Sequence, residues 1–271
     1  MKRTLLFLPL FAGLYSPATR AESTSGWDFM PVENARPALW ADGREPMSRV
    51  IGRSGDTRIE ATLADGVVFT EYTTDAFSLQ VGLAAGGFLS FDPSGALTFA
   101  LMTFDGLVAI PFTLTHGRFA HTLEWAHVSA HYADGIRGVL GYGEIDTGTY
   151  SREYARWITA WESGAWMPYV GGQWLLHRIP EAARPGAQAG LQWVAQDGLP
   201  LFLAVDGKLA AEHDWRVRTR GQLGVHFMSR GDRDMQLGLE CARGPDEKGK
   251  WQGREDVYCG GFLALDRRSG H

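Results

Sequence analysis

The sequence predicts an all-β fold: one antiparallel transmembrane β-barrel of about 12 strands, within roughly 10–14. Three observations carry that expectation. Apolar and polar residues alternate with a period of two over long runs, short turns alternate with long polar loops, and tryptophans gather near the ends of the runs. A secreted β-sandwich would share the alternation. The length of the runs, the tryptophan placement and polar rows as charged as Arg216-Arg218-Arg220 favour the barrel.

The chain opens with "MKRTLLFLPLFAGLYSPATRAES". Lys2 and Arg3 form a basic start, Leu5 to Leu14 an apolar centre, and Thr19-Arg20-Ala21 a small-residue exit. Residues 1–21 therefore read as a secretory signal peptide, and export to the outer membrane of a Gram-negative bacterium is expected. No later stretch holds eighteen uninterrupted apolar residues, so no transmembrane helix is expected. The formal net charge is −5, and losing Lys2, Arg3 and Arg20 makes the mature chain more acidic still. Such a balance gives no footprint for nucleic acid. Pro and Gly are spread through the chain rather than gathered in a linker, which argues for one domain. Residues 22–56 are rich in Pro and Arg and alternate only at their end. They are expected to lead into the first strand or to plug the periplasmic mouth, with the barrel spanning residues 57–271.

The alternation is clearest in the second half. "AQAGLQWVAQ" sets Gln188, Gln192 and Gln196 against Ala189, Leu191, Trp193 and Ala195. In "RVRTRGQLGVHFM" one face carries Arg216, Arg218, Arg220, Gln222 and His226, and the other Val217, Leu223, Val225 and Phe227. "DMQLGLECA" opposes Asp234, Gln236 and Glu240 to Met235, Leu237, Leu239 and Cys241. Short turns fall at 162–165, 196–200 and 229–232, and longer loops near 132–148, 178–187, 206–213 and 244–254. In outer-membrane barrels the short turns face the periplasm. Trp157, Trp161, Trp166 and Trp174 suit the aromatic girdles at the lipid–water boundary. On the inward row, Arg152, Arg156, Arg216, Arg218 and Arg220 would meet the acids Glu124, Glu162 and Glu240. A charge-filled interior is expected, because each buried charge needs a partner and both signs are present. The functional alternative is an anion-attracting pore or ligand pocket. Cys241 and Cys259 fall opposite one another across the last hairpin if its loop centres near residue 250, within reach of a disulfide.

Several motifs resemble a known bacterial group. "LWADGREP", "FDGLVAIPFTLTHG", "HVSAHYADG", "YSREYAR" and the closing "GKWQGREDVYCGGFLALD" are similar to the family catalogued as domain of unknown function 1207. The resemblance implies an exported outer-membrane-type barrel and brings no established activity.

The stretch "EWAHVSAHYADG" puts His127, Ser129 and His131 two residues apart, hence on one face of a strand. With the following loop centred near residue 140, Ser151 faces Ser129 and Glu153 faces His127. Parity turns these residues outward, toward lipid, because Arg152, Tyr154 and Arg156 take the lumen side. A serine becomes a nucleophile when a base within reach takes its proton and a third group orients that base. Ser129, His127 and Glu153 fit those three roles, with His131 and Ser151 beside them. The His-x-Ser pair resembles that of outer-membrane phospholipase A and lipid A deacylase. The phospholipase has Asn before the His, where Ala126 stands here, and both families have Asn after the Ser, where Ala130 stands. Their orienting residue would fall on Gly141. The cluster is a candidate site for acyl-ester hydrolysis of membrane lipid or lipopolysaccharide, by a monomer or weak homodimer, set against a polar patch at the barrel's outer rim without chemistry. The alternative is a non-enzymatic barrel with a structural, binding or transport role. No cofactor is expected. Ca²⁺ is the one candidate ion, through Asp134, Glu144 and Asp146; His127 and His131 stand about 13 Å apart at strand rise, too far to share a metal.

Overall fold

The structure, a computed structural model, describes residues 25–55, 58–93, 99–138, 148–230 and 233–267. The signal peptide expected at 1–21 lies outside the described residues, as do Gly141, Glu144 and Asp146.

Thirteen strands follow in chain order: β1 (Gly26–Phe29), β2 (Ser48–Arg53), β3 (Ile59–Thr73), β4 (Ser78–Asp92), β5 (Ala100–His116), β6 (Phe119–Tyr132) and β7 (Tyr150–Trp161). Then come β8 (Trp166–Ile179), β9 (Pro185–Val194), β10 (Leu201–Ala210), β11 (Val217–Arg230), β12 (Arg233–Pro245) and β13 (Glu255–Arg267). From β2 to β13 each strand pairs antiparallel with the next, and β13 returns to β2, closing a 12-strand barrel. β1 is a short addition that pairs with the last four residues of β3. β2 is a wall strand drawn from the stretch expected as lead-in. Closure leaves no exposed sheet edge around most of the wall, which is what a strand-built wall in lipid requires.

The connections at 74–77, 117–118, 162–165 and 195–200, two to six residues each, share one end of the barrel, and those at 133–149, 180–184, 211–216 and 246–254, which include the two longest, share the other. The β5–β6 turn needs only Gly117 and Arg118, because Gly117 adopts φ 57°, the positive value that a two-residue hairpin turn demands.

Many outward positions are apolar. Leu63, Val108, Phe112, Leu123, Leu223, Leu239 and Leu263 lie exposed on β3, β5, β6, β11, β12 and β13, a surface suited to hydrocarbon and not to water. Phe119, Trp161 and Trp166 gather at the short-turn end, with the Phe119 and Trp161 rings stacked at 6.5 Å. Trp157 and Trp174 are also outward, farther up their strands. Cys241 and Cys259 are direct cross-strand partners joined by a disulfide on this outer face.

Part of the interior is filled by a segment of the chain itself. Between β1 and β2, Leu39, Ala41, Asp42, Glu45 and Met47 are buried. The Trp40 backbone N–H donates to Gln192 Oε1 at 2.7 Å, and its indole N–H to Asp266 Oδ2 at 2.7 Å. Asp42 accepts from Arg156 at 2.8 Å, from Gln188 at 3.1 Å and from Lys208. Arg44 donates to Asp105 at 2.6 Å. This stretch thus meets β5, β7, β9, β10 and β13 from within.

Candidate functional site

The two-residue turn at Gly117 fixes how β6 lies on β5: Ser129 sits opposite Gly106 and His127 opposite Val108. On its other side β6 pairs Ser129 with Ser151 and His127 with Glu153. Parity is set by the small buried residues between them. Ala126, Val128 and Ala130 pack inside with Ala109, Leu107 and Tyr150, so His127, Ser129 and His131 must face out.

On that outer face His127 Nδ1 stands 3.5 Å from Glu153 Oε1, with the two side chains 38% and 35% exposed. Nε2 is then the ring nitrogen left for a proton. Ser129 is half-buried, and among the described residues no hydrogen bond joins it to His127. It lies beside Gly106, where an added Cβ would come 3.6 Å from Ser129 Oγ and 3.4 Å from the Phe104 ring. Ser151 is buried next to it, and His131 is exposed opposite Phe104. Glu153 also has His177 of β8 as its cross-strand neighbour. Sequence reasoning missed His177, because β8 carries a bulge: Glu153 pairs with His177 while Tyr154 pairs with Leu175, leaving Leu176 extra. The adjacent leucines of "WLLH" break the two-residue rhythm and were the available signal.

Inside the wall the charged row is paired, partly with acids from unexpected places. Glu124 meets Arg156 at 3.0 Å and Arg36 at 3.3 Å. Glu240 accepts from Arg49 at 2.7 Å, Gln222 at 2.6 Å and Tyr258 at 2.6 Å, with Arg220 at 3.6 Å. Arg152 reaches Glu212 at 3.1 Å, Arg218 reaches Asp256 at 2.9 Å, and Arg220 reaches Glu247 at 2.7 Å. Arg216 is half-exposed at the long-loop rim beside Glu255. Glu162 sits at the short 162–165 turn, at the other end from Arg152. Asp42, Asp105, Glu212, Glu247 and Asp256, none of them singled out from the sequence, complete the interior. Burial disfavours charge on Glu247, yet Lys208, Arg220 and Arg218 hold its carboxyl well below the usual range. Burial also pushes the nearby His213 imidazole down, against the pull of Glu212.

Asp134 lies in a short 3₁₀ turn after β6. Among the described residues no three His, Cys, Asp or Glu side chains converge as a metal site, and the other two calcium candidates, Glu144 and Asp146, lie outside those residues.

The barrel is similar to two solved structures. One is the outer membrane phospholipase of Salmonella typhi, crystallised as a dimer with bound calcium: TM-score 0.58, 10% identity, 85% of this chain and 96% of that one. The other is outer membrane phospholipase A from Escherichia coli: TM-score 0.55, 10% identity, with the same coverage of 85% and 96%. At that identity the likeness is one of fold. No family model matches the chain, so the resemblance to domain of unknown function 1207 gains no support there, and no curated protein matches it.

Proposed function

We propose that this barrel is an outer-membrane hydrolase of lipid acyl esters, exported by its N-terminal signal and working on its lipid-facing wall. One observation carries the reading: His127 Nδ1 faces the Glu153 carboxylate at 3.5 Å on the outer face, one strand position from Ser129 on that face. A carboxylate on Nδ1 keeps the proton there and leaves Nε2 as the base. Ser129 Oγ attacks the ester carbonyl carbon as its proton passes to His127 Nε2. The alcohol leaves with that proton, and water repeats the sequence to free the fatty acid and restore the serine. The hydrogen bond between His127 Nε2 and Ser129 Oγ forms with substrate present. A serine that looks into hydrocarbon selects substrates already in the membrane, glycerophospholipid or acylated lipopolysaccharide. Both solved structures of similar fold are phospholipases by name, which raises the prior for this chemistry. Glu153 replaces the orienting residue expected at Gly141, and no step is assigned to calcium. The protein is read as a monomer or weak homodimer.

The test is release of fatty acid from phospholipid and from lipopolysaccharide in mixed micelles, with added Ca²⁺ and with chelator. Ser129→Ala should abolish turnover and Ser151→Ala should keep it. Absence of turnover on both lipids under both conditions, or equal turnover by Ser129→Ala, rejects the proposal.

A further inference from the structure

The barrel has a second feature that the outer-face site does not use, a cavity of about 130 Å³ inside the long-loop half of the lumen. Its walls come from the upper ends of β6 to β12 and from the inner segment, and His213 and Gln252 line it at the loop end. The geometry points to a binding site there for a small organic anion, a carboxylate or phosphate on an apolar body.

Three observations converge. The first is charge at the wall. Arg44, Arg152, Arg156, Lys208, Arg216 and Arg218 line the cavity, against the acids Glu212, Asp246 and Glu247. Further partners of these cations, Asp42, Asp105 and Asp256, are not part of its lining: they pair with Arg156, Arg44 and Arg218 from outside it. The surface offered to a ligand is therefore more cationic than the lumen as a whole.

The second is unmet donors. Arg44 Nη1, Arg156 Nε and Arg218 Nε are buried without a hydrogen-bond acceptor among the described residues, and Arg156 and Arg218 are only 6% and 5% exposed. Arg218 Nε has a carboxylate oxygen of Glu247 at 3.9 Å, too long for a hydrogen bond. These nitrogens are themselves closed to solvent, so an oxyanion in the cavity meets the three guanidinium groups through their charge and not at these donors. Lys208, 22% exposed at its side chain and paired with Asp42 and Glu247, adds an ammonium at the same wall.

The third is an apolar side. Val128, Tyr150, Tyr154, Leu175, Leu209 and Ala210 are among the lining residues. A bare inorganic ion would leave that side to water. A carboxylate or phosphate carrying an aromatic or short aliphatic body uses both.

Calorimetric titration of the full-length barrel in neutral detergent tests this with benzoate, phenyl phosphate, benzyl alcohol and benzylammonium. Saturable binding of either anion is expected, with the better of the two identifying the head group, and at least tenfold weaker binding of the alcohol and the amine. Lys208→Met should weaken anion binding at least tenfold. Ala210→Phe, which fills the cavity without altering a charge, should abolish it; each variant is first checked for the heat-modifiable gel mobility of a folded barrel. Ser129→Ala should bind as the wild type does, so loss of hydrolysis and loss of this site are separate results. No saturable binding of either anion, equal binding of benzylammonium, or unchanged binding in both folded variants overturns the inference.

Discussion

Replacing Asp42 by alanine is the sharpest probe of how the lumen is held. Asp42 is buried on the inner segment and accepts from Arg156 at 2.8 Å, Gln188 at 3.1 Å and Lys208. Removing one member of a buried ionic group typically costs about 3–5 kcal/mol, because the remaining charges stay desolvated. Here each of the three partners keeps another acceptor. Arg156 retains Glu124 at 3.0 Å, Lys208 retains Glu247 at 2.8 Å, and Gln188 retains Asp206 at 2.7 Å. The expected loss therefore lies at the lower end, about 3 kcal/mol. Urea unfolding in detergent, followed by tryptophan fluorescence and gel mobility, measures it. The double variant Asp42→Ala/Lys208→Met should fall short of the sum of the single losses by about 1–2 kcal/mol, since it removes a cation that the first change stranded. A single-variant loss below about 0.5 kcal/mol, or strict additivity in the double, would refute the view that the inner segment is locked by this network.

Three further outcomes are expected. Glu153→Gln should lower the turnover number of lipid hydrolysis about tenfold with little change in KM, a modest effect because a half-exposed pair at 3.5 Å is partly screened; full activity would remove Glu153 from the mechanism. Cys241→Ser/Cys259→Ser opens a loop with a sequence separation of 18 and should cost about 3 kcal/mol of stability, read as a lower urea midpoint. Glu247 is held well below its ordinary value of 4.5, so its ion pairs contribute their full stability above that pH, and the contribution is lost as the pH falls from there through the lowered value of the folded state. Glu247→Gln should therefore flatten the acid limb of stability against pH, and an unchanged limb would count against the assignment.

The wall of the barrel was legible in the sequence because its signal is local and repeated. A period of two puts Gln188 and Gln192, or Gln236 and Glu240, on one side however the strands are later arranged, and all four are buried inside. The β6–β7 register followed from the symmetry of its loop, which is why His127 could be set against Glu153 before any geometry was known. Residues 34–47 were not legible in the same way. They form almost no ladder and carry no rhythm, and their partners lie far away in the chain, as with Arg44 and Asp105 or Trp40 and Asp266. Glu162 was placed on the inward row by parity alone. Parity says which way a side chain points and not how high it sits, and Glu162 belongs to the short-turn end.

The inner segment also has a mechanical role. Asp42 ties to Arg156, and Arg36 to Glu124; these two wall residues are direct partners on β6 and β7, three positions below Glu153 and His127. A hollow cylinder of twelve ribbons can flatten in cross-section, and these inner struts set the curvature of the panel on whose outer skin His127 meets Glu153. A substitution in the lumen can therefore be felt on the lipid side without touching it.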